Sequence, residues 1–149
     1  LPGETVASFK RSLDFAVRLD PPHLAVFPLM VLPGTELWHK ADVLGLRYDP
    51  APPYFIRSHP GMTEQEVSAG WRLVDAVDTL GPSRTIRLLC KEPGMTFSGI
   101  VDHWLEWSAR EARPTEDGER VRLFVADFCR SHGLPAAFYG AFAGREFAA

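Results

Sequence analysis

The chain has 149 residues, 46% of them hydrophobic, enough to bury one sizeable core or a larger body with a small satellite, and too apolar for a disordered chain. A formal charge of −3, with the basic residues scattered, leaves no electrostatic footprint for nucleic acid. No apolar run approaches a bilayer-spanning length and the N-terminus has no basic region followed by an apolar block, so the reading is a cytoplasmic protein with no membrane span.

In chain order, Gly3-Glu4-Thr5 predicts the start of a helix whose apolar positions Val6, Phe9, Leu13, Ala16 and Val17 recur at helical period. Asp20-Pro21-Pro22 ends it, because proline lacks an amide donor and disfavours the helical region for the residue before it. His23 to Leu29 is short and mostly apolar. It predicts a strand buried on both faces, which needs a parallel neighbour that this stretch of chain does not supply. Pro33-Gly34 stops regular structure, and Thr35 then caps a short helix to Leu44, with Leu37, Trp38 and Ala41 inward and Gly45 as its stop. Tyr48-Asp49-Pro50-Ala51-Pro52-Pro53 is a proline-rich connector, so the predicted organisation is residues 1–48, a connector at 49–62, and a helical domain at 63–149. Tyr54 to Ser58 suits a short edge strand.

Beyond the connector the pattern is helical. Thr63-x-x-Glu66 is a capping box, followed by Val67, Trp71, Val74, Val77 and Leu80 on one face and by Gly81-Pro82 as a stop. Ser83 starts a shorter helix with Ile86, Leu89 and Cys90. A third helix, Thr96 to Ala112, presents Phe97, Ile100, Val101, Trp104 and Leu105 for burial, and a fourth, Thr115 to His132, presents Val121, Phe124, Val125, Phe128 and Cys129. The tail from Ala136 carries Phe138, Tyr139, Phe142 and Phe147 spaced loosely as a last helix. Cys90 and Cys129 lie far apart without Cys-x-x-Cys spacing, which predicts two buried, inert thiols rather than a zinc knuckle or a disulfide framework.

Leu1-Pro2-Gly3-Glu4-Thr5, the amphipathic helix after it, Phe27-Pro28-Leu29, and Leu32-Pro33-Gly34-Thr35-Glu36-Leu37 together resemble the last part of a radical S-adenosylmethionine (SAM) barrel. The pattern is similar to the cobalamin-binding branch, which includes anaerobic magnesium-protoporphyrin IX monomethyl ester cyclase-like proteins. There a "GLPGET" follows a core strand and "PGT" follows the next. Here the residue before Leu1 is absent, so the first motif is incomplete, and the resemblance covers residues 1 to 48 by motif. It implies an α/β fragment, the last strand-helix elements of a radical SAM partial barrel, followed by a mainly α-helical C-terminal domain. It implies SAM contacts from Pro2, Gly3 and Glu4 in one strand-end loop, and from Phe27, Pro28 and Leu29 at the adenine. In such proteins a 4Fe-4S cluster is held by Cys-x-x-x-Cys-x-x-Cys and SAM is cleaved reductively to a deoxyadenosyl radical. This chain has no such motif. The expected partners are therefore an upstream radical SAM barrel and a cobalamin-binding domain of the same chain, with no catalytic residue and no metal ligand in these residues and no activity for the fragment alone.

Read without the resemblance, Pro2 to Thr5 is an ordinary helix start and Phe27-Pro28-Leu29 a core strand ended by proline. His23, His39, His59, His103 and His132 are dispersed, and His103-x-x-Glu106 puts two potential ligands on one helix face without an evident third. No Gly-x-Ser-x-Gly elbow and no phosphate-cradling glycine loop is present. Trp71, Trp104 and Trp107 at helical spacing predict core packing. Two other functions stay open: a helical protein-interaction or substrate-docking module without catalysis, and a complete small α/β enzyme, which a lone interior strand disfavours.

Overall fold

The computed structural model describes residues 2–111, 117–136 and 139. It is mixed α/β, mostly helical with a small two-stranded sheet. The elements in order are α1 (Val6–Arg18), α2 (Glu36–His39), β1 (Arg47–Tyr48), β2 (Ile56–Ser58), α3 (Glu64–Leu80), α4 (Arg84–Leu89), α5 (Phe97–Arg110) and α6 (Asp117–Ser131). They fall into two compact units, the first comprising Leu1–Ser12 and Val26–Val74, the second Leu13–Ala25 and Asp75–Ala149.

In the first unit β1 and β2 pair antiparallel, Arg47 opposite Ser58 and Tyr48 opposite Ile56, with a register shift between Arg47 and Tyr48. The strand predicted over His23 to Leu29 does not form. Regular pairing begins only at its end, where Ile56 N–H donates to Leu29 O (3.0 Å) and Val31 N–H donates to Tyr54 O (2.9 Å), an antiparallel bridge between Met30 and Phe55. Pro21, Pro22 and Pro28 carry no amide donor, and Pro28 stands just before the first paired residue, so a ladder cannot run through them. Burial follows the pairing, with Val31 wholly buried and Phe27 82% exposed. Val31, Ala41, Leu46 and Ile56 make the core of this unit, with Leu29, Leu37, Leu44, Tyr48 and Val67 packed on it.

Thr35 caps α2 as its residue type predicts, its Oγ1 accepting from Trp38 N–H (3.2 Å). The helix is shorter than the pattern to Leu44 suggests. After Lys40 the chain passes into turns, and Leu46 N–H returns to Ala41 O (2.9 Å) through Gly45 at φ +62°.

In the second unit α5 packs against both α4 and α6. Leu89, Phe97, Ile100, Val101, Val121, Phe124 and Val125 are almost fully enclosed. Trp104, Trp107, Phe124 and Phe128 form a contiguous aromatic cluster with ring centroids 5.2–5.7 Å apart, mostly edge to face or tilted. The N-terminus of α5 is held twice. Thr96 Oγ1 accepts from Gly99 N–H (3.1 Å), and the Asp14 carboxylate accepts from Ser98 N–H (2.7 Å) and Ser98 Oγ–H (2.8 Å). Thr115, the start predicted for the fourth helix, and Phe138, Phe142 and Phe147 of the tail lie outside the described residues. Among the described residues no helix is long and apolar enough to cross a membrane.

Candidate functional site

The bridge between Met30 and Phe55 sets the extended segment Val26–Met30 beside the start of β2 and leaves a cleft of about 630 Å³ within the first unit. Its other walls are the first turns of α1, through Val6 and Phe9, and one face of α3, through Val67, Gly70 and Trp71. The lining is mostly apolar. Phe27 stands at the cleft almost entirely in solvent, while Trp71 is 38% exposed, its ring edge-on to Phe55 at 4.7 Å. Trp71 therefore borders an open surface instead of filling the core that its helical spacing suggested.

Three ionisable residues, Glu4, His59 and Glu66, are among those that line the same cleft. His59 is placed by a tight turn in which His59 and Met62 exchange both backbone hydrogen bonds (3.0 and 2.9 Å). Its Nδ1 accepts from Gly61 N–H at 3.1 Å, which puts the proton of the neutral ring on Nε2. The residue is 8% exposed; burial lowers its pKa below the ordinary value, and Glu4 acts in the opposite direction. Gly61 is needed for this arrangement because a Cβ there would lie 2.3 Å from the backbone oxygen of Glu4. The turn thus seats directly on the loop that opens α1.

Glu66 completes the capping box read from the sequence. Its Oε2 accepts from Thr63 N–H and Thr63 Oγ–H (both 2.8 Å), and Thr63 Oγ1 accepts from Glu66 N–H (3.3 Å). These bonds, the backbone one first, hold its carboxyl below the usual carboxylate range.

Of the six residues that the resemblance singled out, Glu4, Phe27, Pro28 and Leu29 line this cleft. Pro2 and Gly3 are not among its walls; Gly3, at φ +81°, shapes the turn into α1. His59, Glu66 and Trp71 were not singled out for this site. Glu66 carried a signal, the Thr63-x-x-Glu66 spacing, that reads fully as a helix cap, and a lone histidine in a turn carries none. Glu106 does not join His103 in a metal-binding group; the side chain beside His103 is His132, from the end of α6.

Iron-sulfur ligation fits the described residues poorly. Cys90 is half-buried, its thiol pushed up to about 12 by burial and then by Asp14, and Cys129 is fully buried, its thiol raised by burial and then by Glu92. Burial thus disfavours in both the thiolate form that a cluster ligand must take. Among the described residues no three His, Cys, Asp or Glu side chains gather as a metal site. Compared with family models, curated proteins and solved structures, the chain finds no match.

Proposed function

We propose that this chain is the C-terminal part of a radical SAM enzyme of the cobalamin-binding type, similar to magnesium-protoporphyrin IX monomethyl ester cyclase-like proteins. In this reading residues 1–48 end a barrel whose strands belong to the parent protein, and His23–Leu29, which forms no strand among the described residues, would pair there. The helical residues after the connector are its C-terminal domain. One observation carries the reading: Glu4 and Phe27-Pro28-Leu29, far apart in sequence and drawn from two separate motifs, border one apolar cleft. Such a cleft suits a flat, mostly apolar ring with polar edges.

The radical chemistry would be supplied by SAM together with a cluster held on an upstream three-cysteine loop. The residues present would bind and shield. Phe27 and Leu29 would cover one face of the adenine and exclude water, and the Glu4 carboxylate and His59 would meet its polar edge. A partial wall cannot offset the freedom a ligand loses on binding, so the affinity of this chain alone is weak. Cobalamin would bind in a domain outside these residues.

The coding sequence upstream of Leu1 tests the proposal. A Cys-x-x-x-Cys-x-x-Cys within a strand-helix repeat there is expected, and a start codon adjoining Leu1 overturns it. The second reading, a docking module, draws on the rim of the same cleft, where Phe27, Met30 (39%) and Leu32 (43%) stand exposed. Unchanged Trp71 fluorescence at high SAM in the full-length protein, with loss of a partner's binding on Phe27→Ser, would favour docking.

A further inference from the structure

Two imidazoles meet on the second unit in a geometry that none of the foregoing uses. His103 projects from α5 and His132 follows the last residue of α6, and their Nε2 atoms are 3.3 Å apart. Both side chains are exposed, and both rings are fixed by one buried wall. The His132 ring stacks on Phe128 at 4.1 Å and 23°, and His103 tilts against the same ring at 5.4 Å.

The tautomer of His132 follows from its other nitrogen. Nδ1 lies 2.8 Å from the backbone oxygen of Phe128, and a carbonyl only accepts, so Nδ1 carries the proton and Nε2 keeps its lone pair. Ser131 Oγ donates its own proton to the same carbonyl (2.8 Å) and stands 3.0 Å from Nδ1, holding the ring further. A histidine whose rear N–H is tied to a carbonyl is the arrangement that orients an imidazole toward a metal. The spacing agrees, since two Zn–N bonds of about 2.05 Å at a tetrahedral angle separate their nitrogens by about 3.3 Å. The end of α6 adds the negative pole of a helix dipole, which favours a cation.

We infer that His103 and His132 form a bidentate site for a divalent d-block cation of the zinc, copper or nickel kind, with water or an exogenous ligand in the remaining positions. In the metal-free chain His103 Nε2–H donates to His132 Nε2. On binding, the His103 proton moves to Nδ1, and both Nε2 lone pairs face the ion. Copper should bind most tightly of the three.

Calorimetric titration of residues 1–149 with Zn2+, and electron paramagnetic resonance with Cu2+, test the site. One saturable equivalent is expected, with nitrogen hyperfine structure from two imidazoles. His103→Gln and His132→Gln should each weaken binding by about tenfold or more, and His39→Gln should leave it unchanged. Circular dichroism of each variant checks that the fold persists, as exposed positions lead one to expect. Binding that survives either substitution, or failure to saturate a single site, overturns the inference.

Discussion

Thr63 shows how much one side chain decides at a helix start. Its hydroxyl accepts the Glu66 amide, and Glu66 returns to the Thr63 amide, so two of the orphan donors of α3 are satisfied by residues three apart. Thr63→Ala should lower stability by about 1 kcal/mol, read as a lower midpoint in urea with an unchanged slope. An unchanged midpoint would remove the cap from the account. The cysteines are a second case. With its thiol pushed up to about 12 from an ordinary 9.0 by burial and then by Asp14, Cys90 holds far less thiolate at neutral pH than a free cysteine. Alkylation by iodoacetamide should be slow for both cysteines in the native protein and fast in denaturant. Rapid native labelling of either thiol contradicts the burial described for it.

Among elements, α5 depends on a residue distant in sequence. Asp14 lies in α1, and its two oxygens take the Ser98 amide and hydroxyl at the first turn of α5, where the positive end of the helix dipole also favours a carboxylate. Removing a charged acceptor from a part-buried pair of hydrogen bonds costs more than an exposed cap. Asp14→Ala should destabilise by about 2 kcal/mol, with Asp14→Asn recovering part of that, as measured by chemical denaturation. Equal stability of Asp14→Ala and the parent would show that the clamp contributes nothing. This link was not legible in the sequence, because Asp14 and Ser98 lie 84 residues apart along the chain. The caps at Thr35, Thr63 and Ser83 were legible because their partners lie three residues away. The predicted strand at His23 to Leu29 failed for the converse reason. Its apolar composition was clear, but pairing depends on which segment arrives alongside, and here Tyr54 to Ile56 pairs only with its end.

For the whole molecule, the proposed reading predicts that residues 1–149 alone neither assemble a 4Fe-4S cluster nor cleave SAM. A cluster of that kind takes three closely spaced thiolates and leaves its fourth iron to SAM, whereas this chain has two cysteines, 90 and 129, with raised thiol pKa values. Anaerobic reconstitution with iron and sulfide, absorption spectra, and a deoxyadenosine assay under strong reductant check this. A stable cluster with deoxyadenosine release would sink the fragment hypothesis.

By itself the sequence determined the helices from Glu64 to Leu89 and α5 and α6, the starts of α3, α4 and α5, and most of their buried residues though not Trp71, because caps and 3.6-residue periodicity are local properties of the chain. It also placed the Pro-Gly stops and the short strand near Ile56. Tertiary structure alone decided the rest. Glu4 meets Phe27, Pro28 and Leu29 at a cleft that also takes in His59 and Trp71, and His103 meets His132 across two helices. Such meetings depend on which segments pack side by side, and no spacing along the chain encodes a contact that backbone pairing and side-chain packing create.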